Sequence, residues 1–315
     1  MMLCCAGSPA QAEWFGERID LMGTSVSVEL WHEDADRGEA LVADVIEQYR
    51  RVDEVMSTYR ESSEISQVNR SASTRPVRIS AEMFSLIERA QELSMRSGGA
   101  FDISYESVGY LYDFRARQKP DSAQIEAALA SIDYRSVVLN AEQRTISFAR
   151  PGMRINLGGI AKGYAVERAA QWLRSQGIEH AVLNAGGDTR VLGDRRGQPW
   201  IVGIRHPRAA SDVITRIPLI DEAISTSGDY ERFFEEGGER FHHIINPGTG
   251  RPTDELMSVT VIGADAVLTD GLSTTLFVLG MERGLALIDT YTGYEAIIVD
   301  RTGKLRYSSG LAEPQ

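Results

Sequence analysis

The chain has 315 residues, 25% charged and 43% hydrophobic, a composition typical of globular proteins and unlike that of disordered, fibrous or disulfide-stapled chains. Its 45 acidic and 33 basic residues give a net charge of −12, which argues against non-specific nucleic-acid binding, since that needs basic surface. A small phosphate-bearing ligand is compatible with this charge, because a metal ion or backbone N–H groups can neutralise the phosphates.

The first 12 residues, MMLCCAGSPAQA, contain both cysteines of the chain, Cys4 and Cys5. They end in Ala10-Gln11-Ala12, which fits the small-residue pattern of a signal-peptidase site. We interpret residues 1–12 as the remnant of a secretory signal; the alternative is a frayed cytoplasmic N-terminus. A cysteine-free chain at 13–315 suits an oxidising periplasm. We therefore expect an exported, periplasmic protein, free or membrane-associated, and the sequence has no apolar run long enough for a transmembrane segment.

Hydrophobic periodicity predicts both strands and helices. Alternation predicts a strand at 25–30, and an apolar stripe predicts a helix at 36–57. Ser80 begins a helix that ends at Gly98-Gly99, and Asp121 opens a capping box. Further strands are predicted at 137–139, 145–148, 181–183, 200–204 and finally 295–299, with helices after Gly158-Gly159 through Trp172, at 266–279 and at 282–291. Because strict βαβ alternation is absent, we predict one α+β unit at 13–315, with two lobes and mixed or antiparallel sheets flanked by helices.

Two glycine-rich segments follow predicted strands. In NLGGIAKGY at 156–164 a helix begins after two glycines, and its free N–H groups and positive dipole end suit a phosphate, to which Lys162 adds a charge. The alternative is a purely structural turn. In Ala185–Asp188 the two glycines imply a positive φ or a close backbone contact. Asp188 there either caps, binds a ligand or lies in the turn.

Asp270 and Thr274 are four residues apart in a predicted helix and share one face. Carboxylate and hydroxyl oxygens are hard donors suited to Mg²⁺, although two ligands alone are too few. The alternative is an Asp N-cap with a Thr bonded back into the helix. His243, before a Pro/Gly turn, is either an acid–base group or a hydrogen-bonding residue. The aromatic rings at 57–60 and 98–102 either stack on a flat heterocycle or belong to the core.

Together and in this order, the motifs of the chain resemble those of the ApbE family, the FAD:protein FMN transferases. The matching segments are MGT at 22–24, STY at 57–59, GAFD at 99–102, LGGIAKGY at 157–164, NAGGD at 184–188, STSGDY at 225–230, HIINP at 243–247 with Thr249-Gly250, and 270–274. The resemblance spans about Ile19 to Val299 and implies a T-fold-like α+β architecture with FAD in a cleft between two lobes.

The resemblance also implies an activity. Members of the family split FAD at its pyrophosphate, transfer the FMN half to a Thr or Ser hydroxyl of a target protein, release AMP and require Mg²⁺. Targets are proteins with FMN-binding domains, such as subunits of membrane redox pumps. By this resemblance FAD is held by Met22, Tyr59, Ala100, Phe101, Asp102, Asn156, Lys162 and the backbone near Ile244. The metal is held by a backbone carbonyl at Gly159 or Ala161 and by the side chains of Asp270 and Thr274.

The nucleophile of such a reaction belongs to the target, so this chain needs a group that orients or deprotonates the incoming hydroxyl. His243 is our first candidate and Asp229 the second. Asn156 and Asn246 stand where the family usually or often has Asp; each keeps an acceptor oxygen but loses a charge, which leaves the number of metal ions open. Two other functions stay open: an Mg²⁺-dependent FAD pyrophosphatase that gives FMN and AMP, and a non-catalytic FAD-binding protein.

Overall fold

The computed structural model describes residues 13–311, so the predicted signal remnant at 1–12 lies outside the described residues. The described α-helices are α1 (Ala35–Met56), α2 (Glu64–Ser71), α3 (Ala81–Arg96), α4 (Glu106–Gly109), α5 (Ser122–Leu129), α6 (Ala161–Ser175), α7 (Ala266–Leu279) and α8 (Met281–Ile288). Two short 3₁₀ turns lie at Ile103–Tyr105 and Tyr134–Ser136. In this part of the chain we find no helix that is both long and apolar enough to cross a membrane.

The strands divide into a large sheet and several small ones. They are β1 (Glu13–Leu21), β2 (Thr24–His32), β3 (Val77–Arg78), β4 (Val137–Asn140), β5 (Thr145–Phe148), β6 (Ala181–Ala185), β7 (Asp188–Leu192), β8 (Trp200–His206), β9 (Ala209–Leu219), β10 (Ala223–Gly228), β11 (Phe233–Glu236), β12 (Glu239–His242), β13 (Ile245–Asn246), β14 (Arg251–Pro252), β15 (Leu256–Gly263), β16 (Glu295–Asp300) and β17 (Leu305–Tyr307).

Eight strands form the large sheet, in the order β1-β2-β6-β7-β10-β15-β16-β17, with antiparallel pairing at each described step. The other sheets are β3-β5-β4 and the hairpins β8-β9, β11-β12 and β13-β14. Antiparallel sheets with helices segregated beside them define the α+β class, so the predicted fold class is confirmed. The tight turn between β1 and β2 has a positive φ at Met22 (56°) and Gly23 (72°), as two-residue hairpins require.

Helices α1, α6 and α7 pack against the large sheet and carry most of the core. The five residues of the stripe predicted for α1, Leu41, Val45, Tyr49, Val52 and Met56, are all buried. On the opposite face the β8-β9 hairpin covers the sheet, where Trp200, Ile204 and Leu219 pack with Val191 and Ile224. The large sheet is therefore enclosed between the helices on one face and the β8-β9 hairpin on the other. The edges of the sheet and the N-terminal ends of the helices are left to form sites.

Several predicted boundaries are confirmed by side-chain caps. Ser80 accepts a hydrogen bond from the N–H of Met83 at the start of α3, and Asp121 and Gln124 form the capping box of α5. Other elements were missed: α2, α4 and the strands β1, β3, β7, β9, β10, β11, β14 and β15. The prediction that the last strand ends at 299 was wrong, because β17 follows. Among them, α2 and β17 are short and β1 carries charged residues on its exposed side, so the periodicity of these three is weak.

Candidate active site

Helices α6 and α7 meet closely enough to place Lys162 beside Asp270. A side chain at Gly163 would put its Cβ 2.1 Å from the carbonyl oxygen of Ala266, so only glycine allows this approach. At the contact, the backbone N–H of Gly163 donates to Asp270 Oδ2 (2.9 Å). This N–H belongs to the first turn of α6, where backbone donors have no partner within the helix. Asp270 therefore caps α6 from outside.

Lys162 lies between two buried carboxylates. Its Nζ is 2.5 Å from Asp188 Oδ2 and 3.6 Å from Asp270 Oδ1, and both carboxylates are almost fully buried. Burial alone would lower the pKa of Lys162, but the two carboxylates outweigh it and raise that pKa. Burial and the charge of Asp188 raise the pKa of Asp270, while Lys162 opposes the shift. With Asp270 ionised, the three groups together carry a net negative charge, which suits a cation.

Two structural alternatives for α7 are now decided. The N-cap of α7 is Asp265, whose carboxylate accepts from the N–H of Leu268, so Asp270 lies one turn inside the helix and is not its cap. Thr269 and Thr275 donate back to helix carbonyls. Thr274 instead has its Oγ1 3.2 Å from Ser227 Oγ on β10. The side chain of Thr274 thus faces β10, whereas the side chain of Asp270 faces α6.

The glycine-rich segment before α6 lies against Thr274. A Cβ built on Gly159 would be 3.3 Å from the Phe101 ring and 3.4 Å from Thr274 Oγ1. Ala161 is the first residue of α6 and is buried. The four residues predicted as metal ligands, Gly159, Ala161, Asp270 and Thr274, are therefore brought to one place where α6 begins beside α7.

The glycine pair Gly186-Gly187 shows both of the features predicted for it, a positive φ and a close backbone contact. Gly186 has a φ of 65°. A Cβ at Gly187 would lie 2.5 Å from the carbonyl oxygen of Thr226 on β10. This tight β6-β7 turn places Asp188 at the start of β7, pointing to Lys162.

Asn156 is part of a buried polar pair that the sequence analysis missed. Its Oδ1 accepts from the N–H of Gly158 (2.7 Å), and its Nδ2 donates to Glu106 Oε2 (3.0 Å). Burial raises the pKa of Glu106 to about 7, although the bond from Asn156 opposes the shift. The carboxyl group that Asn156 lacks relative to Asp is thus present on Glu106. The departure from Asp at this position was the only sequence signal that pointed to a second carboxyl group.

The segment Ala100–Asp102 is fixed by its own hydrogen bonds. Asp102 Oδ1 accepts from the N–H and hydroxyl of Ser104, and Oδ2 accepts from the N–H of Tyr134 (2.9 Å). Burial raises the pKa of Asp102 and these hydrogen bonds oppose the shift. Phe101 is buried in the main core beside Gly159. Asp102 therefore has a structural role, because its hydrogen bonds fix the segment that carries Ala100 and Phe101. This role is independent of any contact that Asp102 makes with FAD.

Tyr59, Met22 and an arginine that the sequence analysis did not single out lie together. The ring of Tyr59 is 77% exposed. The Arg232 Cζ is 5.9 Å from the centre of that ring. A Cβ on Gly23, next to Met22, would lie 2.7 Å from Arg232 Nη2. Arg232 is therefore a neighbour of two of the predicted FAD-binding segments.

His243 lies at the base of the β11-β12 hairpin, where its N–H donates to the carbonyl oxygen of Arg232 (3.1 Å). Its side-chain Nδ1 is buried, and no partner for it lies within residues 13–311. Burial lowers the pKa of His243 to about 3, and the charges of Arg232 and Lys162 add to the effect. The imidazole is neutral at pH 7. The backbone of Ile244 is engaged on both sides, with His242 and Thr253.

Asp229 is held in an ion pair. Arg208 donates to both of its carboxylate oxygens at 2.6 Å, and the Arg240 Nη1 is 3.5 Å from Oδ1. A bidentate pair of this kind fixes the position of the carboxylate. The arrangement favours His243 over Asp229 as the acid–base group, and the role of Asp229 stays a prediction.

A known protein family matches most of the chain. The ApbE family is matched over residues 22–298. The chain is 35% identical over 293 residues to the FAD:protein FMN transferase of Klebsiella pneumoniae (strain 342), covering 92% of this chain and 90% of that protein. A second FAD:protein FMN transferase, from Vibrio cholerae, is 33% identical over 299 residues, covering 91% of this chain and 88% of that protein.

Solved structures give the same result. The crystal structure of the ApbE protein from Thermotoga maritima superposes with a TM-score of 0.88 at 32% identity, over 95% of this chain and 98% of that one. The flavin transferase ApbE from Vibrio cholerae superposes with a TM-score of 0.84 at 30% identity, over 95% and 98%. Fold and site thus define an α+β protein with an oxygen-rich charged cluster between two helices. The chain belongs to the ApbE family.

Proposed function

We propose that this protein is an FAD:protein FMN transferase, which moves the FMN half of FAD to a Thr or Ser hydroxyl of a target protein and releases AMP. The observation that carries the proposal is the cluster of Asp188, Lys162 and Asp270 beside Thr274, next to a neutral His243. The names of the relatives support it. The chemistry asks a protein mainly to position groups and neutralise charge, which this site can do.

The donor set fits Mg²⁺. Asp270 is buried, and its Oδ1 has the Lys162 ammonium as a neighbour only at 3.6 Å, while Thr274 offers a hydroxyl that is turned away from its own helix turn. Oxygen donors on a net negative, buried cluster suit a hard divalent cation. Asp270, Thr274 and a backbone carbonyl at Gly159 or Ala161 would hold it. When bound, Mg²⁺ supplies charge neutralisation at the pyrophosphate oxygens.

The residues of this chain divide the remaining work. In the transfer, the target hydroxyl oxygen forms a bond to the FMN phosphorus, the phosphorus–oxygen bond to AMP breaks, and the hydroxyl proton leaves. His243 is neutral and accepts that proton, because a neutral imidazole has one free acceptor nitrogen. Lys162 donates to phosphate oxygens near the start of α6. Asp188 holds the Lys162 ammonium in place. The Asn156–Glu106 pair lies next to Gly158, whose N–H donates to Asn156.

Residues around this cluster are proposed to bind FAD: Met22, Tyr59, Ala100, Phe101, Asp102, Asn156, Lys162 and the backbone near Ile244. The exposed Tyr59 ring is suited to stacking on a flat isoalloxazine. Because Phe101 is buried and Ile244 is hydrogen-bonded on both sides, these two act as fixed walls of the pocket.

The target and location are further parts of the proposal. We propose that targets carry FMN-binding domains, as in subunits of membrane redox pumps, and that the protein acts in the periplasm. The signal-like Ala10-Gln11-Ala12 and the absence of cysteine from residues 13–315 support the location. Fractionation of cells that express the full gene tests it: the protein is expected in the periplasmic fraction, and its retention in the cytoplasm would overturn this part.

The activity is tested by incubating the purified protein with FAD, Mg²⁺ and an FMN-binding domain, followed by a denaturing gel viewed for flavin fluorescence. A fluorescent target band is expected, and the same target with its acceptor Thr changed to Val serves as control and should stay dark. Free FMN and AMP without a labelled target would identify a pyrophosphatase. FAD binding without any product would identify a non-catalytic binding protein.

A further inference from the structure

We propose that Arg232 binds the pyrophosphate of FAD and is the residue that brings uncompensated positive charge to it. This inference rests on the proposed function, since it takes FAD as the ligand. It concerns a side chain that lies outside the motifs matched in the sequence analysis.

The β11-β12 hairpin fixes Arg232 next to His243. Phe233 pairs with His242 at the base of the hairpin, and the N–H of His243 donates to the carbonyl oxygen of Arg232, which extends the ladder by one step. The backbone of Arg232 is therefore fixed beside the proposed acid–base group.

The guanidinium of Arg232 has free donors. In the described chain, no carboxylate lies within 4.0 Å of it and no side-chain hydrogen bond engages it. Other arginines nearby are paired: Arg205 with Glu231, Arg208 with Asp229 and Arg240 with Glu235. A guanidinium offers five N–H donors in a planar fork that matches phosphate oxygens.

Charge balance distinguishes Arg232 from Lys162. The ammonium of Lys162 is already paired with Asp188 and lies near Asp270, so it brings no uncompensated positive charge to a pyrophosphate. Arg232 is close enough for its charge to lower the pKa of both Lys162 and His243. Arg232 is thus the side chain that adds an unpaired positive charge beside this cluster.

The neighbours of Arg232 favour a phosphate over the flavin ring as its contact. The Tyr59 ring, 5.9 Å from Cζ, leaves an aromatic surface beside the guanidinium for the isoalloxazine. Gly23 makes room for the guanidinium, since a Cβ there would lie 2.7 Å from Nη2. One side of the arginine therefore meets an aromatic surface, and its donors remain for the adjoining anion.

The test compares ligands that differ in their phosphates. Binding of riboflavin, FAD and ADP is measured by flavin fluorescence and by competition, for the wild-type protein and for Arg232→Gln, Arg232→Lys and the paired, exposed control Arg205→Gln. Arg232→Gln is expected to weaken FAD and ADP binding about 10- to 100-fold, the range of a charge-assisted hydrogen bond, and to leave riboflavin binding within about twofold. Arg232→Lys recovers part of the loss, and added guanidinium ion at low concentration rescues Arg232→Gln.

Unchanged FAD and ADP binding by Arg232→Gln would overturn the inference, as would an equal loss of riboflavin binding, which indicates a damaged pocket. The two proposals fail separately. If the wild-type protein discriminates FAD from riboflavin through Arg232 but labels no target, the transferase proposal fails. If Arg232→Gln labels the target at wild-type FAD affinity, the inference fails and the transferase proposal stands.

Discussion

Asp270 on α7 accepts a hydrogen bond from the backbone N–H of Gly163 on α6, at 2.9 Å. One oxygen of the proposed metal ligand therefore closes the first turn of α6, and the other faces Lys162 at 3.6 Å. This hydrogen bond ties the proposed metal site to the contact between α6 and α7. Substitution of Asp270 is therefore expected to affect mainly turnover, and substitution of Gly163 to affect both stability and turnover.

Asp270→Asn should abolish most Mg²⁺-dependent turnover while keeping the fold. The amide oxygen still accepts from Gly163, but the charge that holds the cation is lost. We expect turnover to fall more than about 100-fold and the Mg²⁺ requirement to rise, with helicity by circular dichroism unchanged. Asp270→Ala should lose the cap as well, at about 1 kcal/mol of stability.

The matched control for this prediction is Asp265→Asn, which alters the true N-cap of α7 away from the cluster. This variant should change stability little, because Asn caps a helix about as well as Asp, and it should leave the Mg²⁺ dependence unchanged. Turnover by Asp270→Asn equal to that of the wild-type protein at the same Mg²⁺ concentration would refute the metal assignment.

Gly163→Ala should destabilise the protein, because the added Cβ meets the Ala266 carbonyl oxygen at 2.1 Å and forces α6 and α7 apart. Overpacking of a rigid contact costs about 1–3 kcal/mol. Turnover should fall too, since Lys162 and Asp270 move apart. Chemical denaturation and the transfer assay measure the two effects.

Gly203→Ala on β8 is the control, because its new Cβ would meet only the exposed side chain of Val213, at 3.2 Å. It should change the free energy of unfolding by less than about 1 kcal/mol. If Gly163→Ala is no more destabilising than Gly203→Ala, the close helix approach is not what fixes the site.

His243→Gln should slow transfer and leave FAD binding nearly intact. Loss of a general base reduces rates about 100- to 10,000-fold, while the amide keeps the size and polarity of the ring. His32→Gln, which changes a half-buried histidine at the end of β2, serves as control and should transfer at the wild-type rate. Normal turnover by His243→Gln would remove His243 from the mechanism.

The same residue predicts a pH effect on stability. The pKa of His243 is about 3 when folded and near 6.5 when unfolded, so below pH 6.5 the unfolded chain takes up a proton that the native protein does not. Its contribution is fully present above pH 6.5 and is lost as the pH falls, at about 1.4 kcal/mol per pH unit. Denaturation curves at pH 5 and pH 7.5 should therefore show a smaller loss for His243→Gln than for the wild-type protein; an equal loss would contradict the buried neutral state.

Glu106→Gln should make the protein relatively more stable at high pH. Burial raises the pKa of Glu106 to about 7, so its contribution is fully present below the unfolded value and is lost as the pH rises through 7. The difference between variant and wild type should grow by up to about 3 kcal/mol between pH 4.5 and pH 8. Asn156→Asp should act in the opposite direction, because it puts a second carboxyl group about 3 Å from the first.

A constant difference across this pH range would show that Glu106 titrates normally. As a control, Glu47→Gln on the exposed side of α1 should show no growth of the difference, since its carboxylate is largely exposed.

Local patterns accounted for much of the fold and part of the site. The stripe of α1, the caps of α3 and α5, and the shared face of Asp270 and Thr274 follow from short-range periodicity and were predicted. Glu106 and Arg232 could not be found in this way. Glu106 meets Asn156 across 50 positions, and Arg232 reaches the site through a hairpin of two four-residue strands. Such contacts are set by tertiary packing and leave no periodic signal in the sequence.

The central claim is that the protein transfers FMN to a target hydroxyl, and the most direct measurement is the ratio of AMP released to flavin covalently bound to the target, with FAD and Mg²⁺ present. We predict one AMP for each bound FMN, with intact-mass spectrometry showing the flavin phosphoester on one acceptor residue. AMP release without covalent flavin on any FMN-binding domain would contradict the claim.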